Sequence, residues 1–146
     1  MTTIYKHQVQ YYETDQMGVV HHSNYFRWME SARIEFFKNK GYDYKKLEEN
    51  SIISPVISVD GKYKKSAKFG DIVEVKLYVT DVRGLKLKIY YEMYVENNLI
   101  FTGNSESTFI TRDMKLLNIE RSFPEFYKIL VAEKELYLKE FAKNND

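Results

Sequence analysis

One predicted helix with a single apolar face constrains the fold of this chain more than any other feature. Ser23 or Asn24 can cap its start, it can run to about Lys40, and Gly41 follows its end. Its large apolar residues recur at helical spacing and form one stripe: Tyr25, Trp28, Met29, Ala32, Phe36 and Phe37. The opposite face carries Arg27, Glu30, Arg33 and Glu35. So broad an aromatic stripe must be covered by a large apolar surface.

Two later segments alternate between apolar and polar residues, 73–79 and 85–95, and a further strand is predicted over residues 99–111. A period of two over this length is typical of antiparallel strands that bury one face. Turns near Arg83-Gly84 and Asn97-Asn98 can join these strands. The chain has 2 prolines and 6 glycines, which favours a few long elements over many short strands.

The C-terminal part predicts a second amphipathic helix, from Ser122 to about residue 142. Ser122 and Glu125 have the spacing of a capping box, and Pro124 falls in the first turn. The apolar residues expected on the inner side are Phe126, Ile129, Leu130, Leu136, Tyr137 and Phe141.

Two segments complete the prediction. Residues 4–12 indicate a strand, whereas residues 52–65 fit either one strand with a bulge or a hairpin turning at Asp60-Gly61. The order of strand, helix, four strands and helix predicts an α+β domain over residues 1–146, with one antiparallel sheet packed on a buried helix.

Charge and composition exclude several classes of function. There are 22 basic and 21 acidic residues, so no bulk charge favours nucleic acid or an anionic membrane. No apolar run approaches the ~18 residues of a membrane span, and the N-terminus resembles a strand more than a leader. The chain has no cysteine, which removes thiol catalysis and fits a reducing compartment. We therefore expect a cytoplasmic protein without nucleic-acid or membrane partners.

A polar segment, residues 11–26, precedes the apolar helix and contains Glu13, Asp15, His21 and His22. Four interpretations are open: a calcium loop, a transition-metal site, an ordinary polar connection, or a carboxylate facing the start of a helix. The last can support catalysis, because free N–H groups at a helix start attract developing negative charge.

The metal interpretations fit the spacing poorly. In a calcium loop that starts at Glu13, Met17 and Asn24 would occupy positions 5 and 12, where such loops need an oxygen ligand and a bidentate glutamate. Adjacent histidines are expected to point apart, and no HxxxH or HxH spacing is present. We therefore expect no metal and no other cofactor.

Two stretches bear a resemblance to a known family. Residues 11–25, YYETDQMGVVHHSNY, together with Met29-Glu30-Ser31-Ala32-Arg33, resemble the signature of the hot-dog-fold acyl-CoA thioesterases of the 4-hydroxybenzoyl-CoA thioesterase family. Residues 63–71, YKKSAKFGD, are similar to a second element of that family, with Ser66 where proline is usual. The resemblance covers residues 4 to about 130.

The resemblance implies an architecture. In the hot-dog fold an antiparallel sheet wraps around the long helix, here 23–40, and residues 52–65 form one strand with a bulge at Asp60-Gly61. Two sheets pair into a homodimer with the active site at the interface, and dimers pair into a homotetramer.

The resemblance also implies roles for individual residues. Asp15 is the catalytic carboxylate, acting as nucleophile or as general base on water. His22 lies next to the thioester, and the backbone N–H groups of His22, Ser23 and Asn24 hold the oxyanion. Tyr25 is expected to bind substrate.

Three further sets of residues bear on the site. Coenzyme A carries phosphates, and basic residues of the neighbouring strands and turn can bind them, with Lys65 and Arg83 favoured. Glu13 either shares a face with Asp15 and raises its pKa or forms a surface salt bridge. Glu30 and Arg33 are expected to form an ion pair on the helix.

The function expected from this resemblance is hydrolysis of an acyl-CoA thioester to a carboxylic acid and CoA. An acyl-carrier protein in place of CoA is one alternative. A non-catalytic acyl-binding module is the other, although pure binding does not require the carboxylate of Asp15.

Overall fold

The computed structural model describes residues 3–144 and contains a five-stranded antiparallel sheet with helices packed against it. The elements are β1 Tyr5–Gln8, a 3-10 turn Tyr11–Glu13, α1 Ser23–Asn39, α2 Tyr44–Glu49, β2 Val56–Tyr63, β3 Ile72–Arg83, β4 Lys86–Val95, β5 Asn98–Thr108, α3 Ile119–Ser122 and α4 Pro124–Asn144. The strand order is β1-β3-β4-β5-β2. The predicted α+β class and the single sheet are confirmed.

The sheet covers the apolar stripe of α1, as predicted. All six stripe residues are buried, and α1 packs on β3 and β1. Arg33, which was assigned to the polar face, is also buried. That assignment was wrong because the buried face extends to Arg33, whose guanidinium carbon lies 5.5 Å from the ring centroid of Phe37.

The three predicted strands form the antiparallel neighbours β3, β4 and β5, and residues 56–63 form the single strand β2. The irregularity in β2 lies between Val56 and Ser58, so the bulge was placed wrongly at Asp60-Gly61. The turn between β4 and β5 is formed by Glu96 and Asn97, both with positive φ. It therefore begins one residue earlier than Asn97-Asn98.

The strand predicted over residues 4–12 is shorter, because a 3-10 turn follows Gln10 and redirects the chain. The helix α2 was not predicted; the side chain of Asp43 caps it by accepting a hydrogen bond from the Lys46 N–H at 2.9 Å.

The cap predicted for the C-terminal helix was wrong. Ser122 is the last residue of α3, and α4 begins at Pro124. A separate short helix forms because the Asn118 side chain accepts hydrogen bonds from the N–H groups of Glu120 and Arg121. On the expected inner face of α4, Phe126 and Leu130 are buried but Leu136 is exposed. No helix in the described part of the chain is long and apolar enough to cross a membrane.

An aromatic layer lies between β2, β5 and the start of α1, and two glycines make room for it. Gly61 of β2 and Gly103 of β5 are cross-strand partners. The Phe101 ring lies so close that a Cβ at Gly61 would be 2.5 Å from its Cζ. Phe101 stacks on Tyr25 with centroids 5.0 Å apart and contacts Tyr63 at 5.2 Å. The glycine pair therefore allows this ring to support the start of α1.

We expect Gly61→Ala to lower the free energy of unfolding by about 1–3 kcal/mol, the usual cost of overpacking. The fully buried Phe101 ring is held by Tyr25 and Tyr63, so it cannot move away from the added methyl group. Urea unfolding measures the loss. Phe101→Leu, alone and combined with Gly61→Ala, is the control, and simple additivity of the two changes would contradict the proposed clash.

Candidate active site

Asp15 lies at the first position of a tight turn between the 3-10 turn and α1. Its N–H donates to the Val19 carbonyl at 2.8 Å, and its carbonyl accepts from the Gly18 N–H at 3.0 Å. Gly18 has φ +80°, a conformation that favours glycine. One carboxylate oxygen, Oδ1, accepts from the Met17 N–H at 2.8 Å, whereas Oδ2 accepts no hydrogen bond within residues 3–144. The turn thus holds the carboxylate through one of its two oxygens.

Glu13 is buried directly below this turn. Its Oε1 accepts from the Gln10 N–H at 2.8 Å and contacts His7 Nε2 at 2.7 Å. Its Oε2 accepts from Trp28 Nε1 at 2.9 Å. The other nitrogen of the His7 ring contacts the Tyr5 hydroxyl at 3.0 Å. Glu13 therefore connects β1, the 3-10 turn and α1. The expectation that Glu13 forms a surface salt bridge is wrong, because its carboxylate is buried.

The backbone carbonyl of Glu13 also fixes the approach to the helix. It accepts from the His21 N–H at 2.8 Å and from the Asn24 side-chain amide at 2.9 Å. The start of α1 and the Asp15 turn are consequently held by the same residue.

Opposing effects act on the pKa of Glu13. Burial raises it, while hydrogen bonds from His7, the Gln10 N–H and Trp28 lower it, and the net pKa lies below its ordinary value. The carboxylate is therefore ionised at neutral pH, and His7 Nε2 carries the proton that it donates.

The three backbone N–H groups expected to hold an oxyanion differ in their partners within residues 3–144. His22 is the N-cap, and neither Ser23 nor Asn24 caps the helix with its side chain. The Ser23 N–H donates weakly to His21 Nδ1 at 3.3 Å, and the Asn24 N–H donates to the His21 carbonyl at 3.0 Å. Within residues 3–144 the His22 N–H has no acceptor. Of the three N–H groups expected to hold an oxyanion, that of His22 alone is unoccupied in this part of the chain.

A cavity of about 240 Å³ brings most of the sequence-predicted site residues together. Asp15, His22, Tyr25 and Lys65 all line it, with Tyr63 beside them. Arg83 does not: it lines a separate cavity and pairs with Asp81 at 3.3 Å. The cavity thus combines a carboxylate, aromatic walls and a lysine at the start of α1.

Tyr63 positions the cavity wall. Its hydroxyl donates to the His22 carbonyl at 3.0 Å, and its ring packs edge-on against Tyr25 at 5.2 Å. Burial raises the pKa of Tyr25, whose hydroxyl oxygen accepts from the Ala67 N–H at 3.3 Å. Tyr63 belongs to the second motif. His22 is 41 residues away in the sequence, so no local sequence pattern indicates that the two residues are in contact.

His7 was missed by the sequence analysis. Its partner Glu13 is six residues later, and the intervening 3-10 turn brings them together without a recognisable spacing.

The two adjacent histidines do not point apart as expected. The rings of His21 and His22 lie 4.2 Å apart at an angle of 30°, and Nδ1 of His21 contacts the Ser23 hydroxyl at 2.8 Å. Within residues 3–144 no three histidine or carboxylate side chains are grouped as metal ligands.

Known proteins resemble this chain along most of its length. Residues 9–128 match the model of the thioesterase-like superfamily. A Bacillus subtilis protein provisionally named an acyl-CoA thioesterase is 31% identical over 122 residues, which is 82% of this chain and 88% of that protein. A Helicobacter pylori acyl-CoA thioesterase is 25% identical, covering 86% of this chain and 96% of that protein.

The solved structure of a DHNA-CoA thioesterase from Staphylococcus aureus superposes with a TM-score of 0.81. It is 35% identical, and the match covers 98% of this chain and 93% of that chain. The chain belongs to the thioesterase-like superfamily. It has the hot-dog fold and is a hydrolase of the thioesterase class.

We expect the stability supplied by Glu13 to depend on pH. Because its folded pKa is depressed, this contribution is complete above the unfolded pKa of about 4.3 and is lost as pH falls through the folded pKa. Glu13→Gln should cost about 1–3 kcal/mol at pH 7, and its deficit relative to wild type should shrink below about pH 4.3. Urea unfolding between pH 7 and pH 3 tests this. Glu49→Gln, on the exposed surface of α2, is the matched control; a deficit for Glu13→Gln that stays constant with pH would contradict the assignment.

Proposed function

We propose that this enzyme hydrolyses acyl-CoA thioesters to a free carboxylic acid and CoA, with Asp15 as its catalytic carboxylate. The observation that carries the proposal is the single cavity lined by Asp15, His22, Tyr25 and Lys65. The acyl-CoA names of the B. subtilis, H. pylori and S. aureus relatives support the choice of substrate.

The reaction replaces the C–S bond of the thioester by a C–O bond. In one mechanism, Asp15 Oδ2 attacks the carbonyl carbon and forms an anhydride, which water then hydrolyses. In the other, Asp15 Oδ2 removes a proton from a water molecule while that water attacks the carbonyl carbon. The sulfur leaves and is protonated as the CoA thiol. The carbonyl oxygen becomes negative in the tetrahedral intermediate, and the His22 N–H at the start of α1 is the proposed donor that holds it.

Lys65 is the proposed ligand for the CoA phosphates. It lines the Asp15 cavity next to Lys64, so positive charge lies at the cavity rim although the net charge of the chain is only +1. Arg83 lines another cavity of the same chain. We therefore propose that Arg83 contacts the CoA phosphates only of a substrate that is bound in the Asp15 cavity of another subunit.

We also propose a homodimer, with dimers pairing into a homotetramer. β2 is an edge strand of the sheet, and Val56, Ile57, Val59 and Tyr63 on it are exposed. Exposed apolar edge strands pair with other chains unless they are covered. Joining two β2 strands would cover this edge and extend the sheet across both subunits.

Asp15→Asn should lower kcat by about 10²–10⁴-fold, because the amide can neither attack nor accept the proton. Thiol release is measured with short, long and aromatic acyl-CoAs, the aromatic member being chosen because the S. aureus relative is named for DHNA-CoA. Asp113→Asn, an exposed residue, is the matched control. Wild-type turnover by Asp15→Asn would refute the catalytic role. Absence of turnover by the wild type would favour an acyl-carrier protein substrate or a non-catalytic module.

His22→Pro and His22→Ala separate the backbone N–H from the imidazole. Proline removes the N–H, and the φ of −54° at His22 suits its ring. We expect His22→Pro to lower kcat by about 10²–10³-fold, the usual cost of losing one oxyanion donor. The loss of kcat in His22→Ala should be smaller, because this variant keeps the N–H. Circular dichroism checks that both variants fold. Equal losses in the two folded variants would assign the effect to the imidazole.

Val59→Lys should weaken the proposed dimer, because a charge would be placed in the apolar strand edge. Sedimentation velocity at micromolar concentration should show a wild-type dimer or tetramer and a shift of the variant to monomer. Lys62→Arg, on the same strand but without a change of charge, is the control. A monomeric wild type would overturn the proposed assembly.

A further inference from the structure

An exposed pair of aromatic residues, Tyr11 and Phe69, lies beside the Asp15 cavity. Tyr11 is 78% exposed and Phe69 62%, and their ring centroids lie 5.9 Å apart with the rings edge to face. Neither residue belongs to the buried core of residues 3–144. A single exposed apolar side chain is ordinary, but two aromatic rings in contact with each other and open to solvent indicate a binding surface.

Backbone hydrogen bonds on both sides of Phe69 fix its place next to the cavity. Val20, which lines the cavity, donates its N–H to the Ala67 carbonyl at 2.9 Å. The Gly70 N–H donates to the Val9 carbonyl at 3.1 Å. Phe69 lies between these two anchors, so its backbone is tied to the cavity wall and to the chain just before the 3-10 turn.

Positive charge leads from the cavity to the ring pair. Lys64 and Lys65 line the cavity, and Lys68 directly precedes Phe69. All three lysines are exposed, and within residues 3–144 none of them forms an ion pair. Asp71, the next acidic residue along the chain, accepts from the Lys68 backbone N–H at 2.9 Å. At most about 14 Å of chain separates Lys65 from Phe69.

CoA combines the two kinds of group that this surface can bind. Beyond its pantetheine arm, the molecule ends in an adenosine that carries a diphosphate and a 3′-phosphate. Nucleic-acid bases stack on exposed aromatic rings, and phosphates bind lysine side chains. The pantetheine arm of an acyl-carrier protein carries no adenine, so an aromatic surface at this place favours CoA over that carrier.

We propose that Phe69 and Tyr11 bind the adenine of CoA and that Lys68 acts with Lys65 on its phosphates. The base stacks on the Phe69 ring, which Tyr11 supports edge to face. The inference rests on the proposed acyl-CoA substrate and adds the residues that distinguish CoA from other carriers of a thioester. Because these side chains bind a part of the substrate that does not react, their loss should raise KM and leave kcat unchanged.

Hydrolysis of an acyl-CoA and of the matching acyl-pantetheine, which lacks the nucleotide, tests the assignment. The wild-type KM should be lower for the acyl-CoA by about tenfold or more. Phe69→Ala should raise this KM about 5–100-fold, the usual contribution of one stacked base, and Lys68→Met should raise it severalfold. Neither variant should change the kinetics with acyl-pantetheine. Phe69→Tyr, which keeps an aromatic ring, should retain the wild-type KM.

Two matched controls come from α2. Tyr44→Ala removes another exposed ring, and Lys45→Met removes another exposed lysine. Both should have the wild-type KM for the acyl-CoA.

Titration calorimetry with adenosine 3′,5′-bisphosphate measures the nucleotide site without turnover. Wild type and Asp15→Asn should bind this probe equally, and Phe69→Ala should bind it about fivefold or more weakly. This measurement separates the inference from the proposed function. If the wild type hydrolyses neither thioester but binds the bisphosphate through Phe69, the proposed reaction is wrong and the nucleotide site stands.

Several outcomes would overturn the inference. Equal wild-type KM values for acyl-CoA and acyl-pantetheine would do so, as would an unchanged KM in Phe69→Ala or a wild type that does not bind the bisphosphate. A shift of Phe69→Ala to a smaller oligomer in sedimentation velocity would instead assign the ring pair to a contact between subunits.

Discussion

The buried carboxylate of Glu13 is the interaction on which the site depends. A carboxylate removed from water is costly unless its oxygens are hydrogen-bonded, and here both are. Its three donors come from β1, the segment before the 3-10 turn, and α1, while its backbone carbonyl holds His21 and Asn24. The Asp15 turn and the start of α1 can therefore keep one relative geometry, which catalysis by preorganised groups requires.

The aromatic layer beneath α1 supports this geometry from the other side. Gly61 and Gly103 let the Phe101 ring approach the sheet, and this ring packs against those of Tyr25 and Tyr63. Tyr63 then holds the carbonyl of His22. Because Gly61 and Gly103 have no side chains, Phe101 can support Tyr25 and Tyr63, which line the Asp15 cavity. The packing of the core and the geometry of this cavity therefore depend on each other.

The elements were predictable where their pattern was long. The stripe of α1 and the alternation of β3 and β4 each repeat over many residues, so burial of one face leaves little choice of structure. Short features were predicted poorly: the Ser122 cap was wrong because Asn118 starts a separate helix, and α2 was missed because six residues carry too little periodicity. Likewise, Arg33 looks like a surface residue in sequence, and its burial beside Phe37 depends on how α1 meets α2 and the segment before β2.

The sequence by itself determined the fold class, the family and the identity of Asp15, His22, Tyr25 and Lys65 as candidates, because periodicity and a contiguous motif are local properties. Tertiary structure alone decided which of them meet. It joined His7 to Glu13, brought Tyr63 to His22 and separated Arg83 from the Asp15 cavity. Within residues 3–144 it also gave acceptors to the N–H groups of Ser23 and Asn24 but not to that of His22. The physical reason is that hydrogen bonds and ring contacts depend on distances of a few ångströms between segments far apart in the chain, which only the packed sheet and helix define.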